Sequence, residues 1–193
     1  HIAGTNGKGS ISALLAKIFA VAGYKASIYT SPHLLHCNER IVLNGQIISN
    51  SRLYEILEET RLASQDHQFT FMESFTIASF LAFSQSNSDI LIVECGMGGR
   101  IDATNIIENK LATIISAISL DHQEYLGNTL TEIALQKACI ARKNTPLIVA
   151  KQDDFAINFA INEVATKLQS ITYFYQQDFS LDINTDGLSL IHI

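Results

Sequence analysis

The amino-acid sequence predicts an α/β fold with a mostly parallel sheet flanked by helices. Two observations support this prediction: strand-like apolar runs alternate with amphipathic helical segments, and a glycine-rich loop opens directly into a helix. The 193 residues are 47% hydrophobic and 17% charged. This composition excludes a disordered chain and supplies enough apolar side chains for a packed core.

Five segments show the spacing of helices. The first, residues 10–22, carries an apolar stripe that is expected to pack on the sheet and consists of Ile11, Leu14, Leu15, Ile18, Phe19 and Ala22. Segment 73–84 is apolar almost all round, which predicts a buried helix with Phe75 in the core. Thr129 and Glu132 form a capping-box pattern for a helix that should end near Arg142. The other helices are predicted over 49–64 and 155–168.

Strands are predicted where short apolar runs lie between these helices. The runs cover 25–30, 89–94, 111–118, 146–150 and 171–175, and the continuous D-I-L-I-V-E of residues 89–94 is typical of a central parallel strand. Two short runs around Asn44-Gly45 predict a hairpin. The whole pattern therefore favours a mostly parallel sheet, with a separate hairpin at 40–49.

Charge and cysteine content restrict the partners. The 13 Lys and Arg residues against 19 Asp and Glu give a net charge of −6, so no nucleic-acid partner is expected. Cys37, Cys95 and Cys139 are widely spaced and form no C-x-x-C pair. No apolar run approaches the roughly 18 residues of a membrane span. The sequence predicts a cytoplasmic protein with no membrane partner.

The first ten residues, H-I-A-G-T-N-G-K-G-S, form a phosphate-binding pattern. Glycines let backbone N–H groups approach a phosphate, a following helix N-terminus adds its dipole, and a lysine adds mobile charge. A hydroxyl after the lysine can reach a magnesium ion. The predicted ATP-binding residues are therefore Gly4, Thr5, Asn6, Gly7, Lys8, Gly9 and Ser10.

Five further motifs follow this loop in a fixed order. They are T-S-P-H-L (30–34), N-E-R-I (38–41), E-C-G-M-G-G-R-I-D-A-T-N (94–105) and the pair S-L-D-H (119–122) with Q-K-A-C-I (136–140). Together with the short loop G-T-N-G-K-G-S, they resemble the folate branch of the Mur ligase superfamily, the folylpolyglutamate and dihydrofolate synthases. The resemblance covers the chain to about Tyr175.

The resemblance implies an ATP-dependent amide ligase that adds L-glutamate to dihydropteroate or reduced folates through an acyl phosphate. Residues 1–187 would be the central ATP-binding domain, truncated at both ends, with most of its first strand and the C-terminal glutamate-ligase domain absent. The last six residues, L-S-L-I-H-I, resemble a translated sequencing adapter, so 188–193 are expected to be non-native. The full-length protein would be a monomer.

The resemblance also implies roles for individual residues. Catalysis would depend on Lys8, Glu94, His122 and Lys137, with Lys137 carbamylated. ATP would bind with two Mg²⁺ ions, held by Ser10, Ser31, Glu94, His122 and Lys137. The pterin-bearing substrate would contact Pro32, His33, Arg40, Phe71, Glu73, Asp102, Ala103 and Thr104. Asp121 is interpreted as a partner of His122.

Three other functions stay open on the sequence alone. A different Mur-type ligase would join an amino acid to a UDP-linked cell-wall precursor, but the T-S-P-H-L and N-E-R-I motifs disfavour it. A P-loop kinase or GTPase would need a longer phosphate loop. A non-catalytic ATP-binding domain is disfavoured by the presence of Lys8, Glu94 and His122 together.

Overall fold

A computed structural model describes residues 1–65, 67–183 and 189–192. The helices in these residues are α1 (Lys8–Val21), α2 (Asn50–Ala63), α3 (Phe71–Ser84), α4 (Gln123–Leu126), α5 (Leu130–Ala138) and α6 (Phe155–Lys167). The strands are β1 (Ile2–Ala3), β2 (Ala26–Tyr29), β3 (Ile41–Leu43), β4 (Gln46–Ile47), β5 (Ile90–Val93), β6 (Thr113–Ile115), β7 (Pro146–Val149), β8 (Ile171–Phe174), β9 (Ser180–Ile183) and β10 (Ser189–His192).

These elements fall into two compact units. Unit one comprises His1–Gly7, Met97–Arg100 and Ile107–Ile193, and unit two comprises Lys8–Gly96 and Ile101–Ile106. The glycine-rich loop therefore begins in unit one and continues into unit two. Within the described residues, no helix combines the length and apolar character needed to cross a membrane.

Unit one contains a four-stranded parallel sheet in the order β1-β6-β7-β8 and a separate antiparallel pair, β9 and β10. Helix α6 packs against α5 and β8. The register pairs Ala3 with Ile115, so the residues that follow β1 and β6 lie at the same edge of the sheet. This edge carries Gly4 and Ser116.

Unit two contains a mixed sheet in the order β4-β3-β2-β5, of which β2 and β5 are parallel. The predicted hairpin is confirmed between β3 and β4, where Asn44 (φ 51°) and Gly45 (φ 84°) adopt the positive φ values of a tight two-residue turn. Tyr29 pairs with Val93, so Thr30 and Glu94 leave parallel strands at the same edge.

The predicted helices and strands all form, and Phe75 is buried as expected. One helix and one strand are shorter than predicted. Helix α5 ends at Ala138 rather than near Arg142, because the next residues form turns, with Ile140 N donating to Lys137 O and Ala141 N to Ala138 O. Strand β6 covers only the centre of 111–118, and Leu111 is exposed.

The expected contact face of α1 is wrong in part. Leu14 and Ile18 are 64% and 60% exposed, and Ala22, just after the helix, is exposed too. The fully buried residue of α1 is Ser12, whose hydroxyl donates to Lys8 O at 3.0 Å. The face of α1 that packs is centred near Ser12. Leu14, Ile18 and Ala22 lie on the far side of the apolar stripe and are therefore exposed to solvent.

The tail proposed to be non-native lies partly outside the described residues. Leu188 and Ile193 are not described, whereas 189–192 form β10 opposite β9. An ordinary strand and a translated adapter with alternating apolar residues would both pair in this way. The origin of 188–193 stays a prediction.

Candidate active site

The first half of the glycine-rich loop is held against the segment after β6. The backbone N–H groups of Thr5 and Asn6 both donate to Ala117 O, at 2.9 and 3.1 Å. Thr5 Oγ1 donates to Ser119 O at 3.1 Å, and Asn6 Nδ2 donates to Ser119 Oγ at 3.0 Å. The backbone amides of Thr5 and Asn6 therefore anchor the loop, and the predicted contacts of these two residues with ATP stay a prediction.

Gly4 occupies a position that a larger residue cannot fill. Its φ is +143°, and a Cβ built on it would lie 1.8 Å from Ser116 Oγ and 3.0 Å from Ser116 N. The sequence offered no sign that Ser116 supports the loop, because β1 and β6 are neighbours in the sheet but lie more than a hundred residues apart in the chain. The close approach of β1 and β6 thus requires glycine at this point.

Lys137 reaches the same loop from α5. It is 3% exposed, and its Nζ donates to Gly4 O at 2.8 Å. The residue is therefore a buried lysine directed at the loop rather than a solvated helix lysine. The sequence motifs predict a catalytic role for Lys137 in a carbamylated form, and both this role and the carbamylation remain predictions.

His122 stands at the N-terminal end of α4 with a left-handed backbone, φ 49°. Its Nε2 lies 3.6 Å from Asp121 Oδ2, and both side chains are about half exposed, at 49% and 46%. Asp121 therefore lies next to His122, and its role as the partner of a metal-binding His122 stays a prediction. A role for His122 as a metal ligand stays a prediction.

Lys8 and Glu94 come together in unit two. Lys8 Nζ lies 3.9 Å from Glu94 Oε1, and Glu94 as a residue is only 3% exposed. Glu94 Oε2 is buried without a hydrogen-bond partner, and a Cβ on Gly9 would lie 3.7 Å from it. A buried carboxylate oxygen with no donor is costly unless a cation or a ligand satisfies it. The chemistry at this point fits a hard divalent cation.

Burial raises the pKa of Glu94 from its usual 4.5 to about 7, even though Lys8 and the backbone amide of Ser31 lower it. Desolvation therefore outweighs the two favourable contacts. A carboxylate in this state gains most from a cation that offsets its charge. The backbone amide of Ser31, which follows β2, thus lies beside Glu94, whereas the role of Ser31 as a magnesium ligand stays a prediction.

Among the described residues, no three His, Cys, Asp or Glu side chains are grouped as a metal site. Magnesium commonly binds one or two protein carboxylates and completes its shell with phosphate oxygens and water. The arrangement around Glu94 is compatible with that pattern, since Ser31 and Lys8 are its neighbours. Ser10 is exposed near the start of α1.

A cleft of about 330 Å³ lies in unit two at the end of β2. It combines loop residues and strand residues with the buried carboxylate, and it is lined by Gly9, Ala13, Ile28, Thr30, Ser31, Pro32, Val42 and Glu94. A small ligand can therefore contact Glu94 and the loop 31–40 together.

Several residues that are predicted to bind the substrate form hydrogen bonds that stabilise local structure. Glu73 completes the capping box of α3, accepting from Thr70 N at 2.8 Å and from Thr70 Oγ1 at 2.7 Å. Thr104 is fully buried, and its amide and hydroxyl both donate to Asp102 Oδ1, the amide at 2.9 Å. Ala103 begins the short 3-10 helix that contains Thr104. Their substrate contacts remain predictions.

Phe71 and Arg40 are near each other, as the predicted substrate set requires. Phe71 is 54% exposed, and its ring centroid lies 4.6 Å from that of buried Phe75. The Arg40 guanidinium lies 5.3 Å from the Phe71 centroid. Met72, which follows Phe71, also contacts this group: Arg40 Nη1 donates to its Sδ at 3.2 Å, a contact that no spacing in the sequence indicates.

We expect the free energy of unfolding to fall as pH rises through 7 because of Glu94. The folded-state pKa of about 7 exceeds the usual 4.5, so its stabilising contribution is complete below about pH 4.5 and is lost through pH 7. The loss amounts to about 3 kcal/mol. Urea unfolding of the Glu94→Gln variant at pH 5 and pH 8 should show a smaller pH dependence than the unsubstituted chain.

Glu58→Gln is the matched control for this measurement, because the Glu58 side chain is solvent-accessible and pairs with Arg61 on the surface of α2. It should leave the pH dependence unchanged. Equal pH dependence in Glu94→Gln and the unsubstituted chain would show that the Glu94 carboxyl is not desolvated.

Residues 2–190 match the Mur ligase middle domain. The chain belongs to the Mur ligase middle-domain family. The matched region includes the glycine-rich loop, Glu94, His122 and Lys137, so the resemblance carried by the five sequence motifs is confirmed. The family match also confirms the predicted α/β fold class.

Individual relatives of this Mur ligase domain are folate enzymes. A probable dihydrofolate synthetase from Schizosaccharomyces pombe is 43% identical over 154 residues, which is 77% of this chain and 36% of that protein. FolC from Escherichia coli in complex with DHPP and ADP is 33% identical, with a TM-score of 0.91 over 95% of this chain and 44% of that one.

A third relative is a bifunctional folylpolyglutamate synthase/dihydrofolate synthase with Mn, AMPPNP and L-glutamate bound. It is 32% identical, with a TM-score of 0.87, and the match covers 94% of this chain and 44% of that structure. The chain therefore spans less than half the length of each of these three relatives.

Proposed function

We propose that the chain is the ATP-binding part of a ligase that adds L-glutamate to dihydropteroate or to reduced folates. ATP would phosphorylate the substrate carboxylate, and the amino group of glutamate would attack the acyl phosphate and release phosphate. The observation that carries this proposal is the buried Glu94 carboxylate, which has an unpartnered Oε2 and lies 3.9 Å from Lys8 of the phosphate loop. This pair fits the crowded negative charge of phosphoryl transfer.

The relatives support the choice of ligands. The solved structures of relatives contain ADP with DHPP, or AMPPNP with Mn and L-glutamate. We propose ATP with two Mg²⁺ ions for this chain, with Ser10, Ser31 and Glu94 as ligands in unit two and His122 and carbamylated Lys137 as ligands in unit one. When bound, the metal ions neutralise phosphate charge.

The residues of the chain then have separate tasks. Lys8 binds phosphate oxygens, while the backbone amides of Thr5 and Asn6 hold the loop through Ala117. The substrate would lie along Pro32, His33, Phe71, Glu73 and the segment Asp102–Thr104, with the buried Arg40 hydrogen-bonded to His33. We propose a cytoplasmic location, because the wide spacing of Cys37, Cys95 and Cys139 is typical of a protein in a reducing compartment. We propose a monomeric full-length protein.

The alternative ligase would act on a UDP-linked cell-wall precursor. The relatives described above favour the folate reading, because each is named for dihydrofolate or folylpolyglutamate synthesis or is a FolC structure. Titration of the chain with 7,8-dihydropteroate and with a UDP-linked muramoyl peptide separates the two. Saturable binding of the UDP-linked compound alone would replace the folate reading.

Lys8→Ala should weaken binding of Mg²⁺-AMPPNP to this chain at least about tenfold, which corresponds to about 1.4 kcal/mol. The reason is that the substitution removes the cation that the phosphate loop would direct at the phosphate oxygens. Isothermal titration calorimetry measures the affinity, and circular dichroism verifies the fold.

Lys17→Ala is the control for this experiment, because Lys17 is an exposed lysine on the same helix. It should bind the nucleotide as the unsubstituted chain does. Equal affinities of Lys8→Ala and Lys17→Ala would remove Lys8 from the nucleotide site and with it the main support for ATP-dependent ligation.

A further inference from the structure

The loop from Ser31 to Arg40 contains a pair of side chains whose hydrogen bond has only one possible direction. Arg40 Nε donates to His33 Nδ1 at 2.9 Å. Arginine carries only donors and stays protonated in proteins, so Nδ1 of His33 must be the acceptor. A neutral imidazole that accepts at Nδ1 carries its hydrogen on Nε2.

Arg40 is fixed on every side that the structure describes. It is 6% exposed, its Nη1 donates to Met72 Sδ at 3.2 Å, and its guanidinium lies 5.3 and 5.8 Å from the ring centroids of Phe71 and Phe75. Over the described residues, no carboxylate lies within 4.0 Å of it. The aromatic rings and the imidazole therefore hold the cation in one orientation.

The backbone between the two side chains is held as well. The Glu39 carboxylate accepts three backbone N–H groups, from Leu34 at 2.8 Å, Leu35 at 3.0 Å and His36 at 2.7 Å. These hydrogen bonds, that of Leu34 first, hold the pKa of Glu39 below its usual range. The loop thus brings His33 to Arg40 in a fixed conformation, whereas the His33 ring itself remains half-buried and accessible to a ligand.

We propose that Arg40 is a positioning residue that fixes His33 as the Nε2–H tautomer, and that this N–H donates to an acceptor atom of the pterin-bearing substrate. In this arrangement His33 is a hydrogen-bond donor, and Arg40 acts on the substrate through His33. The assignment of the tautomer is independent of the proposed function. The identity of the ligand, a pterin-bearing substrate, rests on the proposed function.

Long-range ¹H–¹⁵N correlation spectra of this chain at pH 8 test the tautomer. The His33 signals are assigned from their absence in His33→Gln. We expect an unprotonated Nδ1 and a protonated Nε2 in the unsubstituted chain, and a mixture of tautomers in Arg40→Lys, which keeps the charge but loses the planar Nε–H. The ring of exposed His67, which contacts the ring of Phe69, is the internal control.

Two spectra would overturn the proposal. One is a protonated Nδ1 in the unsubstituted chain, and the other is an unchanged His33 tautomer in a folded Arg40→Lys variant. Should Arg40→Lys fail to fold, Met72→Leu provides the second variant, because it removes the sulfur acceptor and loosens Arg40 while it retains the volume of the side chain. We expect a partial loss of the Nε2–H signal there.

Binding of 7,8-dihydropteroate tests the ligand. We expect Arg40→Lys and His33→Gln each to weaken binding about tenfold, and the double variant to be no weaker than either single variant, because both act through one hydrogen bond. Arg61→Lys on the surface of α2 should bind normally. Additive losses would show that Arg40 contacts the substrate itself and would overturn the relay.

Failure of the proposed function has a different signature. If the unsubstituted chain shows the Nε2–H tautomer but no binding of 7,8-dihydropteroate, the substrate class is wrong and the donor role towards a pterin falls with it, while the positioning of His33 by Arg40 stands. If it binds the pteroate but His33 carries its hydrogen on Nδ1, the substrate class stands and the relay is wrong.

Discussion

Gly4→Ala is expected to destabilise the chain by about 3 kcal/mol or more and to abolish measurable binding of Mg²⁺-AMPPNP. The added Cβ would lie 1.8 Å from Ser116 Oγ and 2.9 Å from Ser116 Cβ, and the backbone at φ +143° disfavours any side chain. The loop must therefore move away from β6. That movement also displaces Gly4 O, the acceptor of Lys137 Nζ. Urea unfolding and calorimetric titration measure the two effects.

Gly7→Ala separates steric exclusion from backbone strain in the same loop. Gly7 has φ +85°, but a Cβ there would meet nothing within 4 Å, so the substitution should cost only about 1 kcal/mol. Gly4→Ala, Ser116→Gly should recover part of the stability, because the hydroxyl and Cβ of Ser116 are then gone. If Gly4→Ala unfolds at the same urea concentration as Gly7→Ala, the close approach of β1 and β6 is not what demands glycine.

Sequence periodicity predicted the elements of this fold because each depends on local information. The Asn44-Gly45 turn, the capping box of Thr129 and Glu132, and the apolar run ending at Glu94 all carry their signal within a few residues. The apolar stripe of α1 shows the limit of this approach. An apolar stripe indicates which residues can be buried. Which of them are buried depends on the surfaces of the other elements of unit two that pack against the helix.

The candidate site was predicted less completely, because its contacts join distant parts of the sequence. Lys8 and Glu94 were found through a motif and a strand end, but the unpartnered Glu94 Oε2 appears only in the folded chain. The backbone amides of Thr5 and Asn6 donate to Ala117 O, an anchoring contact that the loop motif did not indicate. No residue spacing could have shown these contacts, since the partners lie more than a hundred residues apart.

Lys137 should carry a carbamate when the chain is incubated with bicarbonate and Mg²⁺-AMPPNP. Burial generally disfavours a charged ammonium, and Lys137 is 3% exposed. The neutral amine adds CO₂ to form a C–N bond and releases one proton. The product keeps one N–H that can still donate to Gly4 O, now 2.8 Å from Nζ, and it gains a carboxylate that suits magnesium. Incubation with ¹³C-bicarbonate should give a carbamate signal in the ¹³C spectrum.

Lys137→Arg decides the assignment, because a guanidinium keeps the positive charge and cannot form this carbamate. We expect it to lose the ¹³C signal and at least about tenfold in affinity for Mg²⁺-AMPPNP. Lys110→Arg is the matched control, since Lys110 Nζ also donates to a backbone carbonyl, that of Ile140 at 2.7 Å. In Lys137→Ala, added acetate should restore part of the affinity by supplying the missing carboxylate. A ¹³C signal that survives in Lys137→Arg would place the carbamate elsewhere, and Lys137 would then serve only to tie α5 to the phosphate loop.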